Sequence, residues 1–378
     1  MAPVRSPLVR SSTQGGLHIG LISSQAEPDL GGVATLVGGY ARALRRAGHQ
    51  VTVLCQTREK EICHEVTDEG IEVARYPVRL GGHRFAFAPG LPRAARKLVG
   101  TCDVFHAFSY HAPVALGCSW AGVRPFVFSP VYHGGGHTPL AKAVHQVYRP
   151  FSQRLFDSTD LIVCLTRAEA EDVEADFGVP QSKVLVVPPA VEAVPDVNMP
   201  WSARQPVVLS AGRLDAYKGN DVLVEAFDRL HAPDAQLLVT GLGPDSERLH
   251  NFAAQSPSSE RIKFLGFVDY GTLRELQGAA RVAVSLSQHE SFGLSLVEAA
   301  VMGARIVASD IPAHREALQA FAGSSEFVDV GAGPEVVAAA VDRALGALEP
   351  AATGPESGSS SSVDGLLQAY RMAVDTSP

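Results

Sequence analysis

Apolar positions along the chain fall into two recurring patterns. Short runs such as Leu17–Ser23 (LHIGLIS) and Val51–Cys55 (VTVLC) predict strands. Between them Val33, Leu36, Val37, Tyr40 and Leu44 recur at helical spacing, and Gly48 stops that helix. Strand, glycine-bearing loop, helix and strand make a βαβ unit. Further strands are predicted at Ile71–Arg75, Val104–Ala107, Pro125–Ser129, Leu161–Leu165 and Val184–Val187, with helical patterns between several of them. The alternation predicts a parallel α/β sheet over residues 17–190.

The pattern then restarts. Strands are predicted at Val207–Ala211, Gln236–Thr240, Lys263–Gly266, Val282–Leu286, Arg305–Ser309 and Glu326–Val330, and helices at Asp221–Leu230 and Leu294–Met302. The joint, Val187–Pro206, carries Pro at 188, 189, 195, 200 and 206, which marks an inter-domain linker. Residues 191–347 thus read as a second α/β domain. A Ser- and Gly-rich stretch, residues 348–362, reads as a flexible linker, and residues 363–378 as a closing helix. Residues 1–16 hold two Arg and no apolar core of a secretory signal, and read as a frayed tail. Two doubly wound domains facing each other place the natural site in the cleft at the carboxyl ends of their strands.

Composition narrows the class. With 46% hydrophobic and 19% charged residues the chain is ordinary globular protein, which excludes a disordered or collagen-like one. No run approaches the ~18 apolar residues of a membrane span. The five cysteines are scattered without a C-x2-C pair, as expected for buried free thiols of a cytoplasmic protein with no metal site. The net charge is −8, so no nucleic-acid partner is expected. Yet residues 73–156 carry ten Lys or Arg against one acid, Asp103, a local charge of +9. Two readings fit: a solvated basic face, or a surface that meets anions.

Three constellations carry chemistry. Gly31 and Gly32 open the first helix, where backbone N–H groups and the positive dipole end suit a phosphate; a plain turn leaves the same pattern. The dinucleotide pattern G-x-G-x-x-G is absent there, which argues against a nicotinamide enzyme. Second, Gly212-Arg213-Leu214-Asp215-Ala216-Tyr217-Lys218-Gly219 follows a strand, so Arg213 and Lys218 fall in a cleft-facing loop and suit a diphosphate. Third, Glu290 lies in the loop before a helix that Gly293 opens. The N–H groups of Leu294 and Ser295 are then orphan donors, and Glu298 follows about one turn on. Both carboxylates suit sugar hydroxyls; Glu298 also suits a simple dipole-stabilising role.

GRLDAYKG, HESFGLSLVEA and GARIVASDIPAHRE, in this order and spacing, resemble the retaining GT-B glycosyltransferases of the family-four type. Glu290 to Glu298 is the E-x7-E pattern of that family. The resemblance implies a GT-B fold of two Rossmann-like domains with a central cleft, the N-terminal one on the acceptor side. It implies a nucleotide-diphosphate sugar as co-substrate, a UDP-sugar ahead of GDP-mannose, with no separate cofactor. Arg213 and Lys218 would bind the diphosphate, Glu290 the donor sugar and Glu298 the ribose. Gly31, Gly32, Gly293, Leu294 and Ser295 would approach phosphate or sugar, and Phe267 and Val268 would flank the base. His133, in FSPVYHGGG, would lie beside the reacting carbon, while His106 and His111 read as packing residues. Pro189-Ala190-Val191-Glu192 departs from the Asn-Gly-Val-Asp turn usual in the linker. With no D-x-D motif, the cations would replace a divalent metal, and the donor anomer would be retained.

The acceptor is expected to be a hydroxylated saccharide, glycolipid or natural product. The basic segment points to an anionic or lipid-linked one. Arg93, Arg96 and Lys97 beside Leu91, Leu98 and Val99 suggest peripheral membrane contact. Two alternatives share the fold: a hydrolysing sugar-nucleotide 2-epimerase and a non-catalytic nucleotide-sugar binding protein.

Overall fold

The structure is a computed structural model that describes residues 16–29, 31–81, 86–134, 139–191, 199–347 and 358–377. The first domain runs β1 (His18–Ile22), α1 (Gly32–Arg46), β2 (Gln50–Thr57), β3 (Cys63–Val66), β4 (Glu72–Pro77), α2 (Gly90–Lys97), β5 (Val104–Phe108), α3 (Pro113–Trp120), β6 (Phe126–Ser129), α4 (Pro139–Ser158), β7 (Leu161–Cys164), α5 (Arg167–Phe177) and β8 (Val184–Val186). These strands form one eight-stranded sheet in the order β3-β4-β2-β1-β5-β6-β7-β8. β1 is buried along its whole length because helices cover both faces of the sheet. The face of α1 that bears Leu36, Val37, Tyr40 and Leu44 lies in the core.

The sheet is not wholly parallel, as the alternation had suggested. β3 pairs antiparallel with β4 at the sheet edge. All four of its residues are exposed, so no apolar pattern announces it. An ion pair between Arg75 and Glu65 at 2.9 Å fastens it to β4.

The second domain runs β9 (Val207–Ala211), α6 (Asn220–Phe227), β10 (Gln236–Thr240), α7 (Ser246–Ala254), β11 (Ile262–Gly266), α8 (Tyr270–Ala279), β12 (Val282–Ser285), α9 (Leu294–Val301), β13 (Arg305–Ser309), α10 (Pro312–Ala317), β14 (Ser325–Val328) and α11 (Pro334–Gly346). Its six strands pair in parallel in the order β11-β10-β9-β12-β13-β14. The order reverses between β9 and β12, and that is where the loops bearing Lys218 and Glu290 emerge.

The last helix, α12 (Gly358–Thr376), begins five residues before the sequence pattern had suggested, so Gly358 and the serines from 359 to 362 are helical rather than linker. Residues 348–357, most of the linker reading, lie outside the described residues, as do 1–15 of the tail and 192–198 of the inter-domain joint. Although it follows the second domain in the chain, α12 packs on the first, against β5, β6, β7, β8 and α1. Leu366, Ala369, Tyr370 and Ala373 are fully buried there. The Tyr370 hydroxyl meets His106 Nδ1 at 2.9 Å, and Ser129 Oγ meets His106 Nε2 at 2.9 Å. His106 is thus a packing residue whose pKa burial pushes down to about 3. One apolar core joins the two domains, and it includes Phe292 and Leu296 of the second with Val37 and Leu165 of the first.

Candidate active site

The floor of the cleft is built at the carboxyl ends of β9 and β12. Past β9, Arg213 donates Nε to Asp215 Oδ2 at 2.6 Å; the guanidinium is half exposed and the carboxylate mostly buried. Ala216–Lys218 form a tight helical turn that ends at Gly219. Gly219 has φ +68°, and a Cβ there would press on the Leu286 side chain and carbonyl. That turn brings Lys218 inward, where its ammonium donates to Glu290 Oε1. Burial pushes the Lys218 pKa down, but Glu290 outweighs it and the net shift is upward. Burial likewise raises the Glu290 carboxyl, and Lys218 brings it below the usual carboxylate range.

Glu290 stands before α9, as the spacing had suggested. Gly293 caps that helix with φ +91°, and a Cβ there would lie 2.8 Å from His314 Cδ2. Glycine is therefore required twice over. The N–H groups of Leu294 and Ser295 open the first turn, which holds no acidic residue to occupy the positive end. Gly31 caps α1 in the same manner, with φ +127° and no acid in the first turn; around Gly32 the space is open.

His314, within GARIVASDIPAHRE, is a further contributor that the motif alone did not single out. Its ring is fully buried, and Nδ1 lies 3.0 Å from the Ser309 carbonyl oxygen. Burial holds its pKa below 6.5, so the ring is neutral, and that carbonyl assigns the proton to Nδ1. Nε2 is then a buried acceptor with no hydrogen-bond partner among the described residues, on the side of Gly293.

The first domain contributes His133, just past β6. Burial lowers its pKa, and the Glu290 carboxylate of the other domain opposes that shift, so the charge of Glu290 is felt at His133. Lys218 and His289 act on His133 as well. Glu298 is nearly fully buried within α9. It accepts from Tyr270 Oη at 3.1 Å and from Gln277 Nε2 at 3.2 Å. Burial raises its pKa, and Arg274 opposes that. Each carboxylate oxygen has a second lone pair for a further donor. The Arg42 guanidinium of α1 sits over the Tyr270 ring at 5.6 Å, tying this carboxylate to the first domain. Phe267 is half exposed and Val268 half buried, directly after β11.

Two expectations need correction. Leu91 is fully buried, and Leu98 and Val99 pack on the same core, so the apolar half of the proposed membrane patch faces inward. Only Arg93, Arg96 and Lys97 are exposed, which makes α2 an ordinary amphipathic helix. The cysteines are free, but Cys63 is exposed on β3 while the other four are buried. His111 packs its ring edge-on against Tyr110 at 4.9 Å. Among the described residues no helix is long and apolar enough to cross a membrane.

Two facing parallel α/β domains, with cations, a helix N-terminus and carboxylates at the cleft, define an enzyme that handles a nucleotide-activated sugar. Residues 30–193 match Glycosyltransferase Family 4, and residues 198–347 match Glycosyl transferases group 1. The chain belongs to the family-four type of retaining GT-B glycosyltransferases and is a hexosyltransferase using a nucleotide-sugar donor. It is 29% identical to the phosphatidyl-myo-inositol mannosyltransferase of Mycolicibacterium smegmatis, across 80% of this chain and 78% of that one. It is 28% identical to the D-inositol 3-phosphate glycosyltransferase of Xylanimonas cellulosilytica, across 78% and 79%. Its fold is similar to that of Anabaena HepE in complex with UDP and glucose, with TM-score 0.68, 17% identity and 95% and 97% coverage.

Proposed function

We propose that the protein transfers a hexosyl unit, without a divalent metal, from a UDP- or GDP-sugar to a hydroxyl of a phosphate-bearing polyol or sugar acceptor. The observation that carries the donor side is the buried Lys218–Glu290 pair, shortly before the α9 N-terminus in the chain and electrostatically coupled to His133 of the opposite domain. When the sugar departs, negative charge develops on the nucleotide diphosphate. Lys218, Arg213 and the N–H groups of Leu294 and Ser295 are fixed where that charge appears, which is where stabilisation lowers the barrier.

Glu290 orients the donor sugar hydroxyls, and His133 lines the face where the reacting carbon lies. The C1–phosphate bond breaks and the acceptor C1–O bond forms on the same face. The leaving phosphate oxygen takes the acceptor proton, so the anomeric configuration is retained. Glu298 accepts the ribose hydroxyls, with Phe267 and Val268 against the base, and Gly31 and Gly32 let the first domain approach the donor.

The acceptor class is supported by the two named relatives, both of which act on inositol carrying a phosphate. Purified protein should be offered UDP- and GDP-hexoses with myo-inositol 3-phosphate, phosphatidylinositol vesicles and neutral glycosides, with and without EDTA. Transfer to a phosphate-bearing acceptor that survives EDTA, with a retained anomer by NMR, is the expected result. Transfer only to neutral acceptors overturns the acceptor reading. Loss of all activity in EDTA, restored by Mg²⁺ or Mn²⁺, overturns metal independence.

A further inference from the structure

The turn that opens α5 touches both halves of the cleft. Thr166 caps the helix, its Oγ1 accepting from Glu169 N at 3.0 Å. In an ordinary capping box the glutamate reaches back to the cap residue's own N–H and stays near solvent. Glu169 does neither. Its side chain is buried, Oε2 accepts from Leu165 N at 2.7 Å, and Oε1 accepts from Tyr132 N at 2.7 Å on the β6–α4 loop.

Tyr132 immediately precedes His133. Its hydroxyl donates to Asp176 Oδ2 at 2.6 Å, so α5 holds it at both ends. Val131, one residue earlier, has φ +49°, a left-handed conformation that a β-branched residue adopts only under constraint. The second domain meets the same turn. Thr166 Oγ1 donates to the Ser291 carbonyl at 3.1 Å, next to Glu290, and both Glu316 oxygens accept from Arg167 N at 2.8 Å.

We propose that Thr166 and Glu169 are positioning residues that hold the His133 loop in register with the Glu290 loop of the other domain. The proposal rests on the reading of His133 given above. Both side chains are buried and satisfied within the protein, so they act through the loops they hold. A cap serving only the helix needs neither a buried carboxylate nor a contact with each catalytic loop; this one has both.

The test is a double-mutant cycle on the full chain, read as nucleotide diphosphate release and thermal unfolding. Glu169→Gln keeps one acceptor oxygen and turns an amide donor against the other N–H. At about pH 9, where the carboxyl is ionised, it should lower kcat by about 10- to 100-fold, the scale of a reacting group displaced by an ångström, and leave donor KM within about twofold. In a His133→Ala background the same substitution should cost less than about twofold, because the group it positions is gone. An equal cost in both backgrounds shows a general structural role and overturns the proposal. Wild-type kcat in His133→Ala overturns the reading of His133, and this proposal with it, so the two failures are distinct. If Glu169→Gln does not fold, Thr166→Val and Thr166→Ser decide. Val should lower kcat, Ser should restore it, and the drop should vanish in His133→Ala. A drop that Ser does not restore, or that persists without His133, overturns the proposal.

Discussion

The ammonium of Lys218 is held by the carboxylate of Glu290, 72 residues further along the chain, and both side chains are more than four-fifths buried. Removing one partner leaves the other charge buried and alone; removing both leaves neither. Lys218→Met should therefore destabilise the fold and cut turnover with the donor. The lost transition-state contact is on the order of 2–4 kcal/mol, or about 30- to 1000-fold. Lys218→Met with Glu290→Gln should regain most of the melting temperature and none of the turnover. A double variant as unstable as the single would mean that the pair is not coupled in the folded protein.

The second carboxylate calls for a different signature. Glu298 accepts from Tyr270 and Gln277, and Arg42 lies over the Tyr270 ring. Ribose binding contributes equally to ground and transition states, so Tyr270→Phe should raise donor KM several-fold, as loss of about 1 kcal/mol does, and leave kcat unchanged. Glu298→Ala should raise KM further. A fall in kcat at constant KM in either variant would place Glu298 at the reacting centre, and the assignments of Glu290 and Glu298 would have to be exchanged.

The parts of this site that the sequence disclosed are those whose signal is local. Arg213 and Lys218 sit one loop after an apolar strand, and Gly293 falls between a loop and a helical repeat, so position alone places them at the strand ends. β3 was hidden because an exposed edge strand has no buried face to create alternation. The serines at the start of α12 read as linker because polar small residues carry no helical period. The Thr166-x-x-Glu169 spacing was visible, but it looks the same in any capping box. Its distinction lies in Tyr132 and Ser291, separated from it by 37 and 125 residues. His314 was equally silent: a histidine in a motif does not show which of its nitrogens lacks a partner.

The pH dependence of stability should carry the mark of Glu169. Burial pushes its carboxyl up to about 8 from an ordinary 4.5, against the lowering by the N–H groups of Leu165 and Tyr132. Asp172 on the same helix raises it too, and the charge of Glu169 is in turn felt at Cys164 of β7 and Tyr40 of α1. A raised acid binds its proton more tightly folded than unfolded. Its contribution is thus present below 4.5 and is lost as pH rises through about 8. Glu169→Gln does not titrate, so the stability of the wild type relative to this variant should fall between about pH 5 and about pH 9. Turnover should move the opposite way, since the ionised form presents acceptors to both N–H groups. Melting curves across that range check the first part. A constant difference between the two proteins would show that Glu169 is ionised throughout.

The basic helix α2 yields a prediction that the charge count alone would have reversed. Among the described residues, several cations of the 73–156 stretch are already engaged within the fold. Arg75 pairs with Glu65, Arg124 pairs with Asp160, and Arg96 donates to the Gly122 carbonyl. α2 returns the chain from the carboxyl end of β4 to the start of β5, so Arg93, Arg96 and Lys97 lie toward the sheet edge opposite the cleft. Gly122 shortly precedes the start of β6, which fixes that end of the helix independently. On the side away from the cleft, exposed charge acts through solvent, where it is screened within about 10 Å at ordinary salt. Arg93→Glu with Lys97→Glu, which spares the Arg96 contact, should therefore leave acceptor KM unchanged at low and high ionic strength. That should hold for a soluble phosphate-bearing acceptor and for the same headgroup in vesicles. If the vesicle KM alone rises and high salt erases the difference, this end of the first domain meets an anionic lipid surface after all. The enzyme would then approach its acceptor from a side that the strand directions do not favour.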